Sequence, residues 1–390
     1  MGAAAGFTAG YLVARTFEAV RELRDPSPAR PKDAQTYART RRALEVTETI
    51  RGAAGLAAFA YGPIAAAADR ATLGAPAWLR PALFVAPLAA ASAVADLPVE
   101  FVQHYVLERR YGLSEQSRTD WLADYVKGAA ISTGVTTLLA SLFGIAVRHV
   151  PRLWPLVASV GVFPLLVLAN LIVPLYVLPL FNTFEPVTGS LEERLRRLAA
   201  RFGVGEAEIL RMDMSRQTRK ANAFVTGIGR THRIVLGDTL IDAFPEHEIE
   251  FVVAHELGHY VNKDTWRMIG LGEALAAILF VVAQLATPPS DRDELRKRPL
   301  LLMRFYTTML LATQVLRPLL FAFSRSREWA ADRFAIAATR DAQGGAAAFR
   351  RLRDQNLADE DPPGWYEIFF SSHPSLRRRI AALESPGESA

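Results

Sequence analysis

The chain has 390 residues, 51% of them hydrophobic, and a formal net charge of +5 from 45 Lys and Arg against 40 Asp and Glu. That apolar content is gathered into nearly uncharged runs of about twenty residues, which excludes a disordered or fibrous chain and indicates extensive solvation by lipid. There is no Cys, so disulfide frameworks, thiol catalysis and Cys-ligated zinc are excluded and any metal must be held by His, Asp or Glu.

The small basic excess is mostly Arg beside apolar runs, the pattern of membrane loops, and no nucleic-acid partner is expected. In chain order, residues 2–20 form a first apolar segment interrupted by Arg15 and Glu18, with an amphipathic surface helix as its other reading. No Lys or Arg precedes it, which argues against a signal peptide. Residues 53–68 are a short, Ala-rich candidate span. Clearer spans follow at 81–97, 128–146, 154–180, 268–286 and 300–323, each able to cross a ~30 Å hydrocarbon core as a helix. The expected fold is mainly α, a polytopic membrane protein of about seven spans.

The chain then divides into an N-terminal transmembrane region of about five helices (1–183), a first soluble part (184–267), two further spans (268–323) and a second soluble part with the C-terminal tail (324–390). Within 184–267, Ser190-Leu-Glu-Glu-Arg-Leu-Arg-Arg-Leu has amphipathic helical period, whereas Ala223-Phe-Val-Thr and Arg233-Ile-Val-Leu read as two short strands. Gly227-Ile-Gly229 between them reads as a hairpin turn. The last part is helical in pattern, broken at Asp361-Pro-Pro-Gly.

His255-Glu256-Leu257-Gly258-His259 is the strongest chemical signal. Two His at i and i+4 lie on one helical face and can meet one Zn²⁺, with the Glu between them beside the metal's water. Pro245-Glu246-His247-Glu248 suits a helix first turn, and Val252, Val253 and Ala254 suit burial of the helix that follows. A catalytic zinc normally has three protein ligands and an open position. Tyr260-Val-Asn-Lys-Asp-Thr-Trp offers no third His. Glu273 falls within an apolar span, where a polar group facing a cavity is the better reading. Glu328 is the better third ligand, because Glu328 and Asp332 share one helix face as a ligand and a carboxylate able to orient a ligating His.

His-Glu-Leu-Gly-His followed by Ser324-Arg-Ser-Arg-Glu-Trp-Ala-Ala-Asp332 resembles the integral-membrane zinc metalloproteases of the type I CAAX prenyl endopeptidase family. Met212-Asp-Met-Ser-Arg216, Ala221-Asn-Ala-Phe224, Arg233-Ile-Val-Leu-Gly-Asp-Thr-Leu240, Glu108-Arg-Arg-Tyr-Gly112, Pro179-Leu-Phe-Asn-Thr-Phe184 and His373-Pro374 extend the resemblance in the same order. It implies seven membrane helices around an intramembrane chamber, closed by a gluzincin-type domain with a small β-hairpin or sheet. It implies one zinc per chain held by His255, His259 and Glu328, with Glu256 as general base and Asp332 behind the ligands. Asn222 and Ala223 would bind substrate backbone at a strand edge. His373 would donate to the oxyanion, and Arg379 would hold Asp332 or a substrate terminus. In the implied mechanism a metal-activated water attacks the scissile carbonyl and Glu256 moves its proton to the leaving amine.

The expected partners are the bilayer and a peptide or protein substrate, lipidated or membrane-associated. The Ala- and Arg-rich, Cys-free composition suggests a bacterial source, with the protein in the inner membrane. The competing readings are a heat-shock-type quality-control protease with fewer spans and a transporter or channel with a structural metal, for which Asp96, Glu100, His104, Asn170 and Glu273 would line a path.

With seven spans, the short loops on the side of both soluble parts carry eleven basic residues, from Arg21 to Lys127, against eight on the other side. The positive-inside rule then makes the soluble parts cytoplasmic. Single Cys residues placed at Arg39, Asp120, the zinc helix or the C-terminal tail should therefore resist a membrane-impermeant thiol reagent in intact cells, while Arg292→Cys should label. Labelling of the tail but not of position 292 would mean that the chain is inverted.

Overall fold

The computed structural model describes residues 34–150, 152–227, 231–286 and 298–385. The expectations for residues 2–20, for positions 228 and 229 of the turn, for the loop around Arg292 and for the last five residues lie outside these.

The membrane half begins with α1 (Ala34–Tyr61) and α2 (Pro63–Thr72). The 53–68 segment is divided between them by Gly62 and Pro63, because Pro63 has no N–H to continue α1 but suits the first turn of α2. Neither piece is both long and apolar enough to cross a membrane; five described helices are. These are α3 (Arg80–Phe101), continuing through a π-turn to Arg110; α4 (Arg118–His149); α5 (Trp154–Ile172), continuing to Leu180; α9 (Asp264–Ala286); and α10 (Pro299–Thr339). The count of seven is therefore not reached among the described residues. Ser117 accepts from the Asp120 N–H to start α4, as an N-cap should.

α3 packs on α4 and α5 on α9, while α10 touches α9 and α1. Few side chains in the apolar windows of these helices are buried against protein; in that of α5 none is. Their apolar faces are left to lipid or to space between the helices.

The soluble half interleaves with these spans. Strands β1 (Phe184–Pro186), β2 (Glu208–Met212), β3 (Ala223–Thr226) and β4 (Arg233–Gly237) form one sheet in the order β1-β2-β4-β3. β3 and β4 are the expected antiparallel pair, with Ala223 opposite Leu236 and Thr226 opposite Arg233. The sheet is larger than a hairpin, because β2 adds to β4 in parallel and β1 to β2 antiparallel. A parallel neighbour needs a crossover, and here the connection from β2 to β4 runs through β3 on the far edge.

Helices α6 (Ser190–Arg201), α7 (Asp238–Ala243), α8 (Glu246–Val261), α11 (Ala342–Asn356), α12 (Gly364–Phe370) and α13 (Leu376–Glu384) complete this half. Leu195 and Leu198 of α6, Ile234 and Leu236 of β4, Phe251, Val253 and Leu257 of α8 and Ala335 of α10 form one core. Each large aliphatic or aromatic side chain of this set contributes about 1.5–3 kcal/mol by burial. α8 lies at its centre, apolar on most of its circumference as Val252, Val253 and Ala254 suggested. α10 does not end at residue 323, where the composition turns polar; it runs unbroken to Thr339 and stops at Arg340 in the left-handed conformation.

α8 and α10 cross where Gly258 faces Ala331 and Phe334: a Cβ at Gly258 would lie 3.1 Å from the Ala331 Cα and 3.2 Å from the Phe334 Cβ. Gly258→Val must push the two helices apart, with an overpacking penalty of about 1–3 kcal/mol. It should lower both the melting temperature and the metal content of the purified protein. Unchanged values of both would show that the close crossing is not needed.

Candidate active site

Pro245 starts α8, acidic Glu246 and Glu248 occupy its first turn, and the helical period then places His255 and His259 on one face. Their rings stand 4.9 Å apart at right angles. From α10, the buried Glu328 carboxylate enters between them, with Oε2 3.4 Å from His255 Nε2 and Oε1 3.3 Å from His259 Nε2. One ligand atom from each of the three lies within 4.8 Å of the others.

Both imidazoles turn their other nitrogen to a carboxylate. His255 Nδ1 is 2.8 Å from Asp332 Oδ1, and His259 Nδ1 is 3.0 Å from Asp264 Oδ2. This is how ligating imidazoles are oriented, with Nε2 left to the metal. Asp332 in turn accepts two hydrogen bonds from Arg379, at 2.8 and 2.7 Å, and Arg379 Nη1 lies 3.3 Å from Glu328. Arg379 is buried and stacked on Phe349. Of its expected partners, the structure places it on Asp332. Asp264 is held by Arg327 at 2.8 Å.

Burial acts to lower the pKa of His255, yet the hydrogen bonds with Asp332 and Glu328 outweigh it and raise the imidazole to about 9. His259 is raised in the same sense by Glu328 and Asp264 against its own burial. The surrounding carboxylates thus stabilise positive charge at this point. Glu328 Oε2 is buried without a hydrogen bond among the described residues. Two imidazole nitrogens, a carboxylate with a free lone pair and a potential that favours a cation fit a divalent metal with an open position.

Glu256 lies on α8 beside this group, half-buried. Burial pushes its carboxyl up, partly opposed by His255 and His259. His373, in the exposed turn before α13, brings Nε2 to 3.3 Å from Glu328 Oε1, with Ser372 Oγ 2.8 Å from Nδ1. Asn222 is exposed at the start of β3, and its carbonyl accepts from the Gly237 N–H at 2.9 Å. The far side of β3, with Ala223, is the outer edge of the sheet, and the strand packs on α8. His255, His259, Glu328, Asp332, His373 and Arg379 therefore converge from α8, α10 and the start of the C-terminal helix, while Asn222 and Ala223 sit on the edge strand that packs on α8.

The family model of peptidase family M48 matches residues 186–387, and a second, described as CAAX prenyl protease N-terminal with five membrane helices, matches residues 23–183. The chain belongs to peptidase family M48. It is 31% identical over 315 residues to the uncharacterized metalloprotease YhfN of Bacillus subtilis, covering 77% of this chain and 72% of that one. It is 27% identical over 331 residues to CAAX prenyl protease 1 of Saccharomyces cerevisiae, covering 78% and 72%. The crystal structure of S. mikatae Ste24p has the same fold, with a TM-score of 0.79 at 22% identity over 97% of each chain. The M48 chain is thus an integral-membrane metalloprotease of the CAAX prenyl protease group, and the transporter reading is not favoured.

Some features of this M48 site escape sequence reasoning. Asp264 is one: its acidic side chain five residues after His259 was visible, but its use depends on Lys263 taking a positive φ of 56°, which folds the start of α9 back onto the imidazole. Another is the Glu108 carboxylate, which accepts from Tyr37 at 2.6 Å and pairs with Lys220 at 2.7 Å, just ahead of β3. Glu273 does not join the metal group; one of its oxygens is buried without a hydrogen bond among the described residues. Asp96 pairs with Arg51 at 2.7 Å and Glu100 with His104 at 3.4 Å, while Asn170 bonds to the Leu166 carbonyl of its own helix.

Asp264→Asn and Asp332→Asn should each weaken metal binding about 10- to 100-fold, because the ligating ring loses its charged acceptor. Competition with a chelator measures this. If both variants held metal as tightly as the parent while Glu273→Ala lost it, the outer carboxylates would be misassigned.

Proposed function

We propose that His255, His259 and Glu328 hold one zinc ion and that the protein hydrolyses peptide bonds of membrane-associated or lipidated substrates, with Glu256 as general base. The observation that carries this reading is the approach of the three ligand groups to within 4.8 Å of one another with Glu256 on the same helix. Zinc bound there supplies a Lewis acid and acidifies a water molecule.

The remaining chemistry belongs to the chain. An extended peptide adds to the open edge of β3, where Asn222 and Ala223 offer backbone and side-chain hydrogen bonds. Glu256 takes the proton of the attacking water and delivers it to the leaving amine. His373, on the exposed side of the site, donates to the oxyanion. Asp332, Asp264 and Arg379 hold the ligands in place, which assigns Arg379 to orientation rather than to a substrate terminus, since its guanidinium is buried and already engaged. By the excess of basic residues in the loops on their side, the soluble parts face the cytoplasm of a bacterial inner membrane. Prenylated substrates are indicated by the names of the eukaryotic relatives, and the reading proposed for this chain is the broader class of membrane-associated peptides.

Glu256→Gln keeps the shape of the side chain but cannot accept a proton. It should retain about one zinc per chain while hydrolysis of a peptide substrate falls by several orders of magnitude, because base and activated water act as a unit. His373→Ala should be milder, on the order of ten- to a thousandfold in kcat. Near-parental hydrolysis by Glu256→Gln would remove Glu256 from the mechanism.

A further inference from the structure

At the opposite end of the spans from the metal centre, α3 begins, α4 ends and α10 begins around one shallow, open cleft. It lies roughly 40 Å from Glu328 along α10, at 1.5 Å of rise per residue. The polar part of its wall is basic: Arg80, Arg148, His149 and Arg298. Two of these guanidiniums are fixed. Arg80 donates to the Leu73 carbonyl at 2.7 Å and the Ala75 carbonyl at 3.0 Å, and Arg298 donates to the wholly buried Asp69 at 2.9 and 2.8 Å. Arg148 and His149 are exposed, and neither has a side-chain hydrogen bond or ion pair among the described residues.

Three guanidiniums thus line one cleft, and among the described residues only that of Arg298 is met by a carboxylate, Asp69; the N-termini of α3 and α10 add their positive ends to the same place. The rest of the wall is apolar, with Trp78 and Ile145 exposed and Leu302 beside them. Gly144 allows the close approach of α4 to α3 that forms the floor, its missing Cβ falling 3.1 Å from Pro81 Cγ. A basic wall joined to an apolar one, at the ends of three helices long and apolar enough to cross a bilayer, suits the layer where phospholipid phosphates meet acyl chains, as does an exposed Trp.

We propose that this cleft is a binding site for the phosphate of an anionic phospholipid, with Arg148 and His149 as the groups that engage it and the Trp78 side of the wall against the acyl chains. A soluble phosphate shares the charge but not the apolar half of the site.

The test uses the full chain purified in detergent and native mass spectrometry of lipid retained after equilibration with phosphatidylglycerol or phosphatidylcholine. The parent protein should retain phosphatidylglycerol over phosphatidylcholine, and the Arg148→Gln/His149→Gln protein should lose roughly fivefold of that preference, the effect of about one charge at the headgroup layer. Arg148→Lys/His149→Lys should keep it, which separates loss of charge from loss of fold, and Arg197→Gln, a charge removed from α6, should leave it unchanged. Equal retention of the two lipids by the parent, or full preference in the Gln variant, would overturn the proposal. Displacement of phosphatidylglycerol by millimolar inorganic phosphate would overturn the assignment to a lipid.

Discussion

The structure turns on one buried carboxylate. Glu328 enters the crossing of two helices, and an ionised carboxylate there is tolerated only if its charge is met. His255, His259, His373 and Arg379 all approach it within 3.4 Å. Asp332 and Asp264 then balance the bases behind them, so the site is a ring of alternating charge around the three groups that could hold a metal. Removing any one member leaves a partner charged and buried, which explains why five separate elements are held to a common geometry here. The missing side chain of Gly258 lets the ring close, because α10 can come no nearer than the first atom beyond the α8 backbone permits.

The same logic connects the membrane half to the edge strand β3. Glu108, at the end of the extension of α3, binds Tyr37 of α1 and Lys220 ahead of β3. Asn356 of α11 takes both the N–H and the carbonyl of Ala221, at 2.8 and 3.1 Å. The approach to the edge strand is therefore fastened on two sides, once to the spans and once to the catalytic domain. A peptide adding to β3, as proposed, would meet a backbone that is already ordered, which would spare part of the entropy of binding.

Much of the metal site could be read in the sequence because helical period alone brings His255 to His259 and Glu328 to Asp332. The same period explains Arg379: in Leu376-Arg-Arg-Arg-Ile380 it falls on the inward face with Ile380 and Leu383, while Arg377 and Arg378 are exposed. Other features depend on long-range partners. β1 is three residues ending in Pro186, and β2 carries Glu208 and Arg211, so neither has a strand's usual pattern without its neighbour. The continuity of α10 was hidden because polarity changes near residue 323 where the environment changes, although no Gly or Pro interrupts the chain between there and Thr339. Asp264 was hidden because a single left-handed residue, Lys263, redirects it.

The account is tested most directly by anomalous X-ray scattering at the zinc edge from crystals of the purified protein. It predicts one peak, at bonding distance from the Nε2 atoms of His255 and His259 and from the Glu328 carboxylate, about 2.0–2.2 Å, with His373 outside the coordination sphere. A peak coordinated by His373 in place of Glu328, or one at the Glu100–His104 pair within the spans, would contradict it.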